Sequence, residues 1–437
     1  MSIWPETSEL PRFQSLKKDT KTDVLIIGGG LAGLLCAYML QKAGISCVLT
    51  EAERICGGAT KNTTAKITLQ HRLIYHKLLN HLGPEKAKMY LEANCAALKE
   101  YQALCRTIDC DYEEKDSFVY SLYDRELIEK ELKALDQLGF PGEFVKDLPL
   151  PFPVAGAVKI KNQAQFHPLK FASAIARELN IYENTWVREL APHTAVTDGG
   201  KITADKIIAA THFPMNNKHG SYFLKMYQDR SYVIGLKNAG NVKGIYIDQD
   251  EKGLSFRNYK DLLLMGGGGH RTGKTGGGWS KLDAWAAEYY PGSIKSYQWA
   301  AQDCITLDGI PYIGQYSKRT PDFYVATGFN KWGMTSSMAA AIILRDMIAG
   351  NENPFASVFS PSRSMLHLQL GVNIFEAVTN LLTPSAKRCP HMGCALKWNP
   401  QENSWDCPCH GSRFTEKGDL IDNPSSRGLN EEKHSCH

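Results

Sequence analysis

Residues 23–27 are an apolar run with the pattern of a fully buried strand, and Gly28-Gly29-Gly30-Leu31-Ala32-Gly33 follows without a gap. An apolar stretch at 34–43 reads as a helix, a second strand is expected at 46–50, and Glu51 stands twenty-three positions after Gly28. Each piece has a task in a unit that binds a dinucleotide. Gly28 permits the tight turn, Gly30 lets backbone approach a pyrophosphate, and Gly33 lets helix pack on strand. The helix N-terminus offers free N–H groups and a favourable dipole to phosphates, and Glu51 accepts hydrogen bonds from a ribose. A glycine pattern alone is a weak signal, and a glycine turn in an ordinary α/β core is its plain alternative. Strand, helix and distal acid together are strong, and they point to a doubly wound α/β domain.

The other end carries a second constellation. Fifteen residues separate Cys389-Pro390-His391-Met392-Gly393-Cys394 from Cys407-Pro408-Cys409-His410-Gly411-Ser412, with the count taken from His391 to Cys407. Cys389, His391, Cys407 and His410 form a C-x-H-x15-C-x-x-H ligand set. Two thiolates suit one iron of a [2Fe-2S] cluster and two imidazoles the other, the Rieske arrangement, in which neutral ligands raise the reduction potential. A Cys2His2 zinc knuckle has the same ligand count. Zinc has no need of the further thiols at Cys394 and Cys409, one in each loop, where a disulfide can tie the loops together. Trp398 and Trp405 offer apolar cover. The segment 385–428 is too short to build its own core, so it needs the cluster, the bridge and a supporting surface elsewhere in the chain.

A chain of 437 residues with 43% apolar content is expected to hold two or three domains. The formal charge of +4 gives no reason to invoke nucleic acid. No window of eighteen apolar residues is present, so no transmembrane helix is expected, and the first residues lack the pattern of a secretory signal. Eight of the twelve cysteines are scattered, as reduced thiols in a cytoplasmic protein would be, which makes the bridge a protected local exception. Nothing in the chain speaks to its oligomeric state.

Between the two ends lie a small-residue loop, Gly57-Gly58-Ala59-Thr60-Lys61-Asn62-Thr63-Thr64-Ala65-Lys66, and the stretch Asp308-Gly309-Ile310-Pro311-Tyr312-Ile313-Gly314. Thr327-Gly328-Phe329-Asn330-Lys331-Trp332-Gly333-Met334-Thr335 then opens a helix. With the front fingerprint and the run at 196–211, these stretches resemble FAD-dependent oxidoreductases of the D-amino-acid oxidase and glycine oxidase superfamily, over residues 20–350. The C-terminal segment resembles a truncated Rieske-type [2Fe-2S] module fused to such an enzyme. The resemblance implies FAD, and FAD contacts at Gly28, Gly30, Leu31, Ala32, Gly33, Glu51, Ala52, Gly58, Ala59, Thr60, Thr63, Thr64, Ala65 and Lys66. Further along it implies contacts at Val187, Thr211, Gly309, Gly328, Gly333, Met334 and Thr335. It also implies an α/β architecture: a doubly wound FAD-binding domain with an inserted α+β, mainly antiparallel substrate domain and a small C-terminal β module. In residue terms, an arm (1–20) precedes FAD-binding pieces at about 21–80, 155–215 and 305–350. The substrate domain takes about 83–150 and 220–304, followed by a linker and packing helix (351–384), the cluster module (385–428) and a tail (429–437).

Helices are expected at 82–105 and 125–138, and strands at 231–236, 244–248 and 262–265. The quartet Gly266-Gly267-Gly268-Gly269 either gives a planar ring room or makes a flexible hairpin. Candidates for substrate binding are Arg257, His270 and Arg271, since a guanidinium grips both oxygens of a carboxylate, although a solvated surface role suits each of them singly. His212 departs from the superfamily pattern, as a turn residue or as one facing the flavin. Cys304 is a buried thiol or a covalent flavin attachment point. The apolar stretch 366–382, with Leu370, Ile374, Val378 and Leu381 on one face, is expected to pack on the flavin domain, with membrane-surface docking as the alternative. The function these readings imply is oxidation of an amine or amino-acid-like molecule by FAD, with electrons passing to the cluster and on to a redox protein or quinone-like acceptor. Two alternatives stand beside it: an oxygen-using oxidase with a vestigial cluster, and a non-catalytic electron shuttle.

Overall fold

The apolar run at the front becomes the strand Thr20–Ile27, which is central in an eight-stranded sheet. Across that sheet the order is Tyr312–Gln315, Phe323–Thr327, Gly200–Ala209, Thr20–Ile27, Cys47–Thr50 and Ile181–Tyr182. The pairings from Phe323–Thr327 to Ile181–Tyr182 are all parallel. Val24, Leu25, Ile26 and Ile27 are all buried, because a parallel strand covered on both faces reads as continuous rather than alternating hydrophobicity. The helices Leu31–Lys42 and Gly333–Ile348 pack against each other over this sheet. This computed structural model describes residues 1–215 and 219–430, so most of the expected tail lies outside the described residues.

A nine-stranded sheet forms the second layer, running from Ile294–Thr306 through Met226–Lys237, Leu262–Arg271, Ser255–Tyr259 and Ile245–Asp248. It continues through Glu113–Ser121 and Gly156–Gln165 to Lys66–Ile67. The sheet is antiparallel except where Ile245–Asp248 meets Glu113–Ser121. A third sheet of four short antiparallel strands spans Lys397–Asn399 to Leu420–Asp422. Among the described residues its buried core is Cys389, Cys394, Leu396, Cys407, Cys409 and Phe414, small as the shortness of the segment leads one to expect, with Trp405, Leu420 and Leu429 packed against it. The arm at the front is pinned rather than loose: Trp4 is fully buried and donates from Nε1 to Thr63 O at 2.7 Å.

Several expectations need correction. The strand Gly156–Gln165 pairs with Glu113–Ser121 in the nine-stranded sheet, so it belongs to the inserted domain and not to the dinucleotide half. The glycine quartet is neither a hairpin nor a loose loop; it lies inside the strand Leu262–Arg271. The helix found at Leu368–Leu382 turns its polar side inward. Asn373 and Asn380 are its buried residues, while Leu368 is 95% and Phe375 68% exposed. Polar bonds explain this inversion: Asn373 donates to Leu224 O at 3.1 Å and accepts from Arg271, and the backbone of Asn380 accepts from Ala395 N at 2.9 Å. No helix among the described residues is long and apolar enough to cross a membrane.

Candidate functional site

A cavity of about 1080 Å³ runs from the glycine loop to the C-terminal module. At its far end the helix Leu31–Lys42 begins at Gly30, which has no side chain to cap it, so apart from Leu31 N the first-turn donors are left for an anionic ligand. A Cβ on Gly33 would stand 1.9 Å from Gly28 O, so only glycine lets this helix sit so close to the turn. Glu51 accepts from Gly29 N (2.7 Å) and Glu53 N (3.0 Å), and burial raises its carboxyl pKa. Thr60 Oγ1 accepts from Leu31 N at 3.0 Å, tying the 57–66 loop to the helix start. The donor set, the distal acid and the close backbone approach fit a dinucleotide such as FAD.

Of the residues expected at that cofactor, all line the cavity except Gly33, Ala65, Gly309 and Thr335. Gly33 serves the helix approach just described. Ala65 is buried and gives its carbonyl to Arg257 (2.7 Å), and Thr335 Oγ1 is bonded to His71 Nε2 (2.9 Å). Gly309 sits in the turn after Asp308, whose carboxylate is held by Arg363. Three of the quartet glycines, Gly266, Gly267 and Gly269, face the cavity from within their strand.

In the module, residues 389–394 and 407–412 form paired loops. Gly393 N donates to Cys389 O and Gly411 N to Cys407 O, each at 2.9 Å. Cys394 and Cys409 form a disulfide between the loops. Cys389 and Cys407 are buried free thiols, and a hydrogen bond from Cys407 lowers the pKa of Cys389. The His391 and His410 rings lie 5.0 Å apart and nearly perpendicular. Burial pushes them down to about 4 and about 3, so both are neutral imidazoles, the form that binds metal. His410 Nδ1 is buried without a hydrogen-bond partner, as a ring nitrogen meant for iron would be. Cys407 is the free member of a sulfur group with Cys394 and Cys409, all within 4.8 Å; the bridge occupies the other two, so that trio is not a zinc site. The four residues fit a [2Fe-2S] cluster.

The module is seated on the nine-stranded sheet by polar contacts. Gln228, Arg230 and Tyr232 stand two apart on the strand Met226–Lys237 and so share one face. Gln228 donates to His410 O (2.8 Å) and Asn423 O (2.9 Å), and Gln302 donates to Gly411 O (2.9 Å). Arg230 makes a two-pronged pair with Glu402, which Arg413 also holds at 2.9 Å. Phe213 lines the cavity and lies edge-on to both cluster histidines, with ring centroids 6.2 Å from His391 and 6.3 Å from His410. Asn423 Nδ2 secures this wall by donating to Thr211 O at 2.7 Å.

The substrate-binding candidates fare differently. Arg257 is fully buried against Trp4 and lines no part of the cavity, so neither the solvated role nor the carboxylate role fits it. Arg271 donates to Pro408 O (3.0 Å), Asn373 Oδ1 (3.0 Å) and Cys409 O (3.2 Å), which makes it a clamp on the cluster loop. His270 is held by Tyr232 Oη (3.0 Å) and Arg271 O, away from the cavity. His212, at φ +65°, does line the cavity, and its Nε2 is buried without a partner. Cys304 also lines it, as a buried thiol whose Sγ contacts His212 O. Gln228, Arg230, Gln302, Asp303, Glu402 and Asn423 were not singled out in the sequence. The one available signal was polar residues recurring with period two in a strand otherwise rich in apolar residues.

Comparison with known proteins agrees with this geometry. The family described as FAD dependent oxidoreductase matches residues 23–347, and the Rieske [2Fe-2S] domain matches residues 371–432. A Bacillus subtilis (strain 168) protein, YhfW, carries the name of a putative Rieske 2Fe-2S iron-sulfur protein; it is 34% identical over 98% of this chain and 96% of its own. Gamma-glutamylputrescine oxidoreductase of Escherichia coli (strain K12) is 24% identical over 78% of this chain and 87% of its own. Among solved structures, glycine oxidase from Geobacillus kaustophilus superposes with a TM-score of 0.67 at 19% identity, covering 79% of this chain and all of that one.

Proposed function

The chain belongs to the FAD-dependent oxidoreductase family and carries a Rieske [2Fe-2S] domain, and from that premise we propose an amine dehydrogenase. It oxidises an amine or amino-acid-like molecule and passes the electrons through Cys389, His391, Cys407 and His410 to an acceptor. Bound FAD supplies two-electron oxidation at a carbon beside nitrogen, and the cluster carries one electron at a time. The chain's own residues bind, orient and shield. Gly28, Gly30 and the free helix start receive the pyrophosphate, Glu51 the ribose, and the 57–66 loop with Gly328, Gly333 and Met334 lies along the remainder.

One observation carries the electron path: Phe213 is a wall of the cavity on one side and touches both cluster histidines on the other. A single side chain therefore separates the two redox compartments there. The acceptor, a redox protein or a quinone-like molecule, would meet the cluster at the loop where Met392 is exposed beside half-buried His391. The free thiols Cys36, Cys47, Cys56 and Cys95 support a reducing, cytoplasmic setting, with the bridge protected by burial. The names of the E. coli relative and of the glycine oxidase neighbour support a nitrogen-bearing substrate.

The test is anaerobic mixing of the purified holoprotein with a panel of primary amines, secondary amines and amino acids while the flavin absorption band is followed. Bleaching by one class supports the proposal. No bleaching by any of them, with a flavin that dithionite still reduces, rules out the substrate class.

A further inference from the structure

Among the cavity-lining carboxylates that are not exposed, one makes no side-chain hydrogen bond. Asp303 lies on the strand Ile294–Thr306, is half-buried, and lines the cavity; among the described residues its carboxylate makes neither a hydrogen bond nor an ion pair. Its cross-strand neighbour is another carboxylate, Asp229. The nearby cation, Lys331, is bonded to Asp229 at 2.6 Å, and the next, Arg230, is committed to Glu402. Gly269 fits closely beside this pair: a Cβ there would stand 3.3 Å from Arg230 O, 3.4 Å from Lys331 Nζ and 3.5 Å from Asp229 Oδ1. Two like charges opposite one another repel, and a carboxylate removed from bulk water costs free energy unless it is paired. Burial does raise the Asp303 pKa; Lys331, His212 and Arg230 oppose the rise and Asp229 adds to it.

Lys331 satisfies one carboxylate of the two, so with both ionised these three groups sum to one negative charge in the cavity wall. Beside it His212 presents a buried Nε2 that also lacks a partner. Such a wall repels a substrate carboxylate and attracts a cation. We infer that Asp303 is the specificity-determining residue of this cavity, and that it receives the protonated nitrogen of an alkylamine rather than the carboxylate of an amino acid. The inference rests on the amine-oxidising reading above and narrows it: within the two substrate classes proposed there, it selects simple amines and diamines.

The experiment uses the holoprotein with FAD and cluster in place. Butylamine, 1,4-diaminobutane and butanoate are titrated anaerobically into wild type, Asp303→Asn and Asp303→Glu, and binding is read from perturbation of the flavin spectrum and by calorimetry. Wild type is expected to bind the two amines and to bind butanoate much more weakly. Asp303→Asn is expected to weaken amine binding by about 10- to 100-fold, the effect of losing a charged hydrogen-bond partner, with Asp303→Glu between the two. Butanoate binding is expected to strengthen in Asp303→Asn. The amine-to-butanoate preference of the wild type stands as a test even if a variant fails to fold. Equal amine affinity in wild type and a folded Asp303→Asn, or tighter binding of butanoate than butylamine to wild type, overturns the assignment of Asp303 while leaving amine oxidation intact. Failure of every amine to bind or reduce the wild type overturns both.

Discussion

Replacing Gly273 with alanine tests how the cluster module is held against the flavin-binding body. Gly273 follows the strand Leu262–Arg271 with φ +75°, and a Cβ there would lie 2.6 Å from Pro408 N, 2.7 Å from its Cα and 2.9 Å from its Cβ. Pro408 sits between the ligand Cys407 and the bridge residue Cys409, and Arg271 is bonded to its carbonyl. The substitution adds two costs. A left-handed backbone costs a non-glycine residue about 1–2 kcal/mol whether or not the module is docked. Overpacking against rigid backbone costs about 1–3 kcal/mol, and this part is relieved when the loop moves away. Stability of the docked protein is therefore expected to fall by roughly 2–5 kcal/mol, and the docking equilibrium itself to weaken by about 5- to 150-fold. The assay is thermal unfolding followed separately at the cluster and flavin absorption bands, with iron and sulfide measured beforehand. Loss of the cluster band is expected at a lower temperature than in wild type, and the flavin band should shift less. An alanine protein with an unchanged cluster transition would refute the close seating of Gly273 on Pro408.

Three further outcomes follow from the same geometry. Arg230→Leu leaves the largely buried Glu402 with Arg413 as its remaining cation, and breaking a buried pair on one side is expected to cost about 3–5 kcal/mol, measurable by denaturant titration at the cluster band. Cys407→Ser is expected to abolish iron and sulfide binding but leave FAD bound, and to abolish turnover with the physiological acceptor; undiminished turnover with oxygen would instead favour an oxidase with a vestigial cluster. In apoprotein, burial and the neighbouring Arg257 push Lys66 from 10.5 down to about 7. The folded state then binds fewer protons than the unfolded chain between those values, so stability should rise as pH increases from about 7 towards 10.5. A Lys66→Met apoprotein should lose that rise in its melting temperature; an identical pH profile in both would contradict it.

The local features of this chain were legible in its sequence because they are set by close neighbours. The strand Thr20–Ile27, the glycine turn, the helix Leu31–Lys42 and the loop spacing around Cys389 and Cys407 all depend on residues a few positions apart. What could not be read is set by partners far along the chain. Arg271 looked like a carboxylate ligand because its side chain alone suits one, yet its bonds go to residues more than one hundred positions away. Arg257 and the helix Leu368–Leu382 misled for a related reason. Hydrophobic periodicity marks which residues of a helix share a face, but not which face is buried, and here two asparagines with fixed hydrogen bonds decided it. The strand Gly156–Gln165 changed sheets because its register partners, Glu113–Ser121, lie beyond the intervening prolines. Asp303 went unnoticed because a single acid in an alternating strand carries no signal until its missing partner can be seen.

The most direct test of electron flow is rapid freeze-quench EPR of anaerobic holoprotein after the flavin alone has been photoreduced. If the wall at Phe213 joins the two redox centres, the signal of a reduced, histidine-ligated [2Fe-2S] cluster should grow as the flavin reoxidises, at a rate independent of protein concentration. A flavin that stays reduced beside an oxidised cluster, or transfer that scales with concentration and so runs between molecules, would contradict it.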